Sequence, residues 1–288
     1  MPELSEIETV CRKINKYLVG KKIKEVTLDE SDRYFYAFAS AKEVKKHLLG
    51  ARIKGTGRKG KYFWIVLDKK PWPMIHLGMS GNVIFVEPKL KTVRKQKGWE
   101  GARLWAEDDK KLQDKLWFSR LMIVTDEGTE MAIVDPRRFG RMWLTDDPLE
   151  HPKIKRLGYD PLINFPSVKI LGEKLKRRKK AIKSVLLDQN LFAGVGNWLA
   201  DEILFQARIS PHHKASELTP IQIKSLHKSV LSVVKTAVSA EADYDHFPKT
   251  WLFHERWGKV KNSKTSKGKI VHEEIGGRTT AWVPTWQK

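Results

Sequence analysis

The first positions of the chain gather groups suited to covalent chemistry: Pro2, Glu3 and Glu6. A small residue after an initiator Met allows Met1 to be removed, which exposes the secondary amine of Pro2. An α-amino group with a pKa of about 7.7–8.0 is roughly 10–20% neutral at pH 7, whereas a lysine near 10.4 is neutral in well under about 0.1% of molecules. The terminal amine is thus a ready nucleophile for C1′ of a sugar or for a carbonyl, through a Schiff base. Glu3 and Glu6 lie one helical turn apart, close enough for one or both to move protons beside that amine. The plainer reading is that acids at the start of a helix answer its macrodipole.

The elements that must hold these groups follow from periodicity. Ile7, Val10, Cys11, Ile14 and Leu18 share one face of a helix over 6–19, and Ser5 with Glu8 reads as its capping box. From Lys22 to about Thr145 the pattern turns to short β-branched and aromatic runs at 22–28, 61–68, 82–87, 121–125 and 130–134. Residues 126–129 make a hairpin turn between the last two, so the series predicts a β-sandwich or barrel. A proline-bearing stretch at 146–166 reads as a linker. Helical periods then return at 180–189, at 197–207 and from Thr219-Pro220 onward. Near the end, strand-like IVHEEI and TTAWV frame a Gly276-Gly277 turn, and the lysine- and glycine-rich stretch 258–269 suits a hairpin tip or loose loop.

Composition narrows the partner. The chain has 288 residues, with 55 Lys+Arg against 34 Asp+Glu, a formal charge of +21. Such a field attracts phosphates, which points to nucleic acid. Residues 174–183 (KLKRRKKAIK) hold seven of these cations, a phosphate-binding face, a nuclear-localisation patch or a merely solvated run, and their place just before a helix favours DNA contact. The single cysteine, Cys11, excludes an intramolecular disulfide framework and any Cys₄ zinc site, and it reads as a core residue. No leader-like start and no run approaching 18 apolar residues is present, so the expectation is a soluble intracellular protein with no membrane partner.

Seven motifs, in order, give the chain a resemblance to one family. MPELSEIETV resembles the start of the formamidopyrimidine-DNA glycosylase branch of the Fpg/Nei family. RKGKY (58–62), HLGMSG (76–81), DPRRFG (135–140), LGYDPL (157–162), GVGNWLADE (194–202) and GGRTTAW (276–282) then follow in the family's sequence order. The resemblance implies a bifunctional DNA glycosylase/AP lyase, an α+β protein in which an N-terminal helix and β-sandwich precede a helix–two-turn–helix domain. It implies Pro2 as nucleophile, Glu3 and Glu6 as acids, and Lys61 as an essential catalytic lysine. It also implies DNA contacts from His76, Arg138, Asn197 and Arg278; Lys180 joins them on the charge and position of the basic run alone. Met79, Arg137 and Phe139 would fill the void left by an extruded base, as apolar wedges and a planar cation suit that task. Without the motifs these residues would read as core or surface side chains, and Asn197 as a helix cap. The implied partner is damaged double-stranded DNA, bound by a monomer between the two domains.

The domains expected on this basis are 1–145 as the catalytic β-sandwich, 146–166 as linker, 167–249 as the helix–two-turn–helix domain and 250–288 as a zincless-finger β-hairpin. Family members often close with four zinc-binding cysteines, and this chain has none there, so no metal and no cofactor are expected. Trp282, Val283 and Trp286 are expected to supply a small core instead. Residues 241–258 are short against the bacterial loop that closes over 8-oxoguanine, which favours formamidopyrimidines and hydantoins ahead of 8-oxoguanine. The missing zinc ligands and the basic run make the nucleus the expected location. The alternatives are a non-catalytic nucleic-acid-binding protein, which has no need of Pro2-Glu3 beside Lys61, and a terminal-amine enzyme of small molecules, which leaves the +21 charge unexplained.

Overall fold

The computed structural model describes residues 2–86, 117–257 and 263–288. Met1, position 87 of the strand expected at 82–87, and positions 258–262 of the lysine-rich stretch lie outside the described residues. The chain divides into two compact units, Met1–Lys155 with Glu241–Asp245, and Arg156–Ala240 with His246–Lys288.

The first unit opens with α1 (Leu4–Leu18), whose residues Ile7, Val10, Cys11, Ile14 and Leu18 are all buried, as their spacing predicts. The capping box is not Ser5–Glu8. Glu3 is the N-cap and its N–H is taken by Glu6, while Ser5 lies inside the helix and Glu8 is drawn away to Arg58 and Arg12. The next elements are β1 (Ile23–Leu28), α2 (Ala41–Leu48), β2 (Ile53–Lys59), β3 (Tyr62–Leu67), β4 (Trp72–His76), β5 (Asn82–Val86), β6 (Ser119–Thr125), β7 (Glu130–Val134), β8 (Arg141–Thr145) and the short α3 (Pro152–Lys155). Two antiparallel sheets result, in the orders β1-β6-β7-β5 and β2-β3-β4-β8. Their inward side chains, with those of α1 and α2, form one apolar core that includes Phe35, Phe63, Ile75, Phe85, Ile123 and Met142. The β6–β7 turn at 126–129 forms as expected, with Gly128 in the left-handed region at φ 77°.

The second unit is helical first: α4 (Val168–Lys176), α5 (Ile182–Leu186), α6 (Asn197–Ala207) and α7 (Pro220–Ser239). Helix α7 starts where the sequence places it, with Gln222 N–H on the Thr219 hydroxyl at 3.3 Å. Helix α5 is shorter than the expected 180–189, because Ala181 is held in a bridge to Lys214. The boundary between the units falls inside 146–166, a stretch that also carries α3. After short strands β9 (Lys264–Thr265) and β10 (Gly268–Lys269) comes a hairpin of β11 (Val271–Ile275) and β12 (Arg278–Trp282) around Gly276-Gly277.

A small apolar cluster of Phe205, Leu252, Ile270, Ala281 and Val283 closes the hairpin, with Trp286 packed against it. The indole of Trp286 lies under two cations, Arg208 at 3.9 Å and Lys267 at 4.7 Å, and its N–H reaches the Phe205 carbonyl at 3.0 Å. Trp282, expected in that core, instead lies alongside it: its N–H is bonded to Glu273 and its ring meets His212 edge-on. No helix among the described residues is long and apolar enough to cross a membrane.

Candidate active site and nucleic-acid interface

In the first unit, Pro2 and Glu3 form the turn that enters α1, and both are buried. Glu6 organises this turn. Its Oε2 accepts the Glu3 N–H and the Ser5 hydroxyl, each at 3.0 Å, and its Oε1 accepts the Tyr244 hydroxyl at 2.9 Å. The backbone of Glu3, next to Pro2, is therefore held by a carboxylate engaged through both oxygens. Tyr244 arrives on the returning segment 241–245, which Glu241 also ties to Lys13 of α1 at 3.7 Å. Ser5 thus contributes a bond of its own to Glu6.

Lys61 sits in the β2–β3 turn after Gly60, whose φ of 59° suits glycine. The turn is anchored to α1 by Arg58, a buried guanidinium that donates to Glu8 at 2.9 Å and to the Gly60 carbonyl at 3.1 Å. Although burial opposes it, Arg58 and Arg12 hold the Glu8 carboxyl below its ordinary range. Across the sheet Tyr62 pairs with His76, and His76 with Arg141. Burial, with the nearby charges of Lys61 and Arg141, pushes the His76 imidazole down to about 4. At neutral pH the ring is uncharged, and Nδ1 accepts the Gly78 N–H at 3.1 Å. That fixes the proton on Nε2, which can donate one hydrogen bond to an anion.

Met79 and Phe139 are both exposed, at 38% and 44%, for side chains that would ordinarily be buried. The Arg137 guanidinium lies 4.7 Å over the Phe139 ring. Arg138 adopts a left-handed φ of 56°, and its carbonyl accepts from Arg141 at 2.9 Å. The structure therefore brings together Pro2, Glu3 and Glu6, then Lys61 with His76, and then Met79 with the 137–139 loop. Tyr244, Ser80, Asp135 and Arg141 join them without having been singled out from sequence. Ser80 and Asp135 lay inside matched motifs, whereas no local signal marked Tyr244.

In the second unit, Asn197 is the first residue of α6, after the glycine N-cap Gly196. This end of the helix carries the positive pole and suits a phosphate. The Asn197 side chain donates to the Thr279 carbonyl at 2.9 Å, which sets it next to Arg278 on the hairpin. The Asn197 carbonyl in turn accepts from Lys183 at 2.9 Å. Lys180 stands apart from this pair, exposed ahead of α5 with its carbonyl bonded to the Ala215 N–H.

Behind the helix start lie two acids. Asp201 receives Lys183, Arg256 and the Ala281 N–H, which locks α5, α6 and the hairpin into one arrangement. Glu202 is fully buried and accepts from Gln206 at 2.7 Å and from the Phe253 N–H at 2.8 Å. Burial pushes the Glu202 carboxyl up to about 7. In an unfolded chain it would sit near about 4.3, so between those values the folded protein holds a proton that the unfolded chain has released. The stabilisation is complete below the lower value and is lost as pH rises through the upper one. The thermal midpoint is expected to fall between pH 5 and 8, and Glu202→Gln is expected to flatten that slope. An equal slope in the variant, read by circular dichroism, would show that another group is responsible.

Comparison with known proteins matches both parts of the chain. Residues 1–142 match the formamidopyrimidine-DNA glycosylase N-terminal domain, and residues 157–247 match the formamidopyrimidine-DNA glycosylase H2TH domain. Among curated relatives, a formamidopyrimidine-DNA glycosylase of Arabidopsis thaliana is 36% identical over the whole of this chain and 71% of its own length. A protein of the same name from Pelotomaculum thermopropionicum is 30% identical over all of this chain and 99% of its own. Among solved structures, a complex of Lactococcus lactis Fpg with DNA containing an abasic site superposes with a TM-score of 0.78, 27% identity and 99% coverage of both chains. A complex of the wild-type Lactococcus protein with DNA containing N7-benzyl-Fapy-dG gives 0.77 and 27%, over 100% of both.

Proposed function

The chain belongs to the formamidopyrimidine-DNA glycosylase family, and on that premise we propose that it is a bifunctional DNA-repair glycosylase/AP lyase working through the amine of Pro2. The observation that carries this reading is the Pro2-Glu3 turn, buried and fixed by a Glu6 carboxylate with both oxygens engaged. The amine attacks C1′ of the damaged nucleoside as the glycosidic bond breaks and the base leaves with a proton. Ring opening yields an iminium between Pro2 and the sugar. Loss of the C2′ proton then expels the 3′ phosphate, and a second elimination expels the 5′ phosphate. Glu3 moves the protons these steps require, and Glu6 holds Glu3 in place.

Lys61 and the neutral His76 supply a cation and a hydrogen-bond donor to DNA phosphate, as do Asn197, Arg278, Arg138 and Lys180. Such contacts fix register without reading sequence. Met79, Arg137 and Phe139 occupy the vacated stack. Formamidopyrimidines and hydantoins are the favoured substrates, with 8-oxoguanine behind them, and the basic run 174–183 supports a nuclear location.

Borohydride reduction tests the covalent step. Processed protein mixed with duplex DNA containing an abasic site is expected to give a stable adduct, and peptide mass mapping is expected to find it on Pro2. An adduct that maps to a lysine, or none at all, would overturn the mechanism.

A further inference from the structure

The loops carrying the void-filling residues come from different strand connections, β4–β5 and β7–β8, yet one carboxylate serves both. Asp135 is completely buried. Its Oδ1 accepts the hydroxyl of Ser80, the residue after Met79, at 2.7 Å and the Arg137 N–H at 3.3 Å. Its Oδ2 accepts the Gly140 N–H at 2.6 Å. The backbone of Asp135 is itself fixed, its N–H on the Phe118 carbonyl at 2.9 Å and its carbonyl receiving Arg120 at 3.3 Å. The two loops also touch directly. A Cβ on Gly78, which has φ +64°, would lie 2.4 Å from the carbonyl carbon of Phe139 and 2.7 Å from the Gly140 nitrogen.

We propose that Ser80 and Asp135 are positioning residues that join Met79, Arg137 and Phe139 into a single wedge. The proposal rests on the glycosylase reading above. A side chain that must occupy a vacated stack acts only from a well-defined position, and small misplacements are costly in rate. The Ser80–Asp135 hydrogen bond, at 2.7 Å between groups on two different loops, is placed to carry this coupling. Met79 then enters the duplex together with Arg137 and Phe139, and base extrusion and void filling proceed as one event.

The test compares two substrates of the full chain. A duplex with a formamidopyrimidine needs the wedge, whereas a single strand with an abasic site has no stack to fill. Ser80→Ala is expected to lower single-turnover excision from the duplex about tenfold, to leave borohydride adduct formation on the single strand within about twofold, and to be largely restored by Ser80→Thr. In a Phe139→Ala background the same change is expected to cost less than about twofold, because the wedge is already broken. Unchanged duplex excision, equal falls on both substrates, or full additivity with Phe139→Ala would each overturn the coupling. Absence of any adduct with the unsubstituted protein would instead overturn the glycosylase reading, and the coupling with it.

Discussion

Glu3→Gln is expected to lower excision of a damaged base by about 10²–10⁴-fold in single-turnover experiments, the usual contribution of a positioned proton-transfer group. Glu3 is 1% exposed, and its N–H is held by Glu6 at 3.0 Å, so the amide variant keeps the shape and backbone bonding of the turn. What it loses is the capacity to take and return a proton. Affinity for DNA with a non-cleavable abasic analogue is expected to stay within about threefold, since catalytic proton transfer contributes to the transition state and little to ground-state binding. A Gln variant that excises at the parental rate would remove Glu3 from the mechanism. One that loses affinity and rate together would make it a structural residue.

The second large effect is on stability. Asp201→Ala is expected to destabilise the helix–two-turn–helix unit by about 3–5 kcal/mol, the range for breaking a buried ion pair by removing one partner. Asp201 at 1%, Lys183 at 0% and Arg256 at 8% exposure leave no room for water to take over. Arg256 approaches one carboxylate oxygen at 2.6 Å and Lys183 the other, so the variant strands two cations. The thermal midpoint of this unit is expected to drop by roughly 10 °C or more. DNA affinity is expected to fall too, because Lys183 also holds the Asn197 carbonyl at 2.9 Å. A midpoint within about 2 °C of the parent's would show that the network is replaceable.

What the sequence made legible was set by range. The α1 face, five strands, the 126–129 turn, the start of α7 and the terminal hairpin all follow from neighbours within a few positions. Strand β2 was missed because IKGTGRK lacks an apolar alternation, and the reason is tertiary. A Cβ on Gly57 would lie 2.3 Å from the Trp64 ring, so the glycine makes room for an indole on the next strand. Strand β4 was masked by Pro73, and β8 by the polar ends of RMWLT. The two possible capping boxes, Glu3–Glu6 and Ser5–Glu8, have the same spacing. Arg58, fifty residues from Glu8, decides between them. Tyr244, 238 positions from Glu6, left no local trace at all. The motif residues were legible because each sits in a short ordered signature, whereas the Ser80–Asp135 bond spans 55 positions between two of them.

The closure of the terminal hairpin bears on the conditions under which such an enzyme is needed. A finger held by thiolates is exposed to the oxidants that damage guanine, since thiolates begin the cysteine oxidation ladder. Here aliphatic and aromatic side chains close the hairpin, with Trp286 between Arg208 and Lys267. The one thiol in the chain, Cys11, lies in the core of the other unit, where burial pushes its pKa up to about 12. Peroxide therefore meets no thiolate whose loss would disturb Arg278, the DNA contact proposed above, and repair capacity is insulated from the stress that creates its substrates.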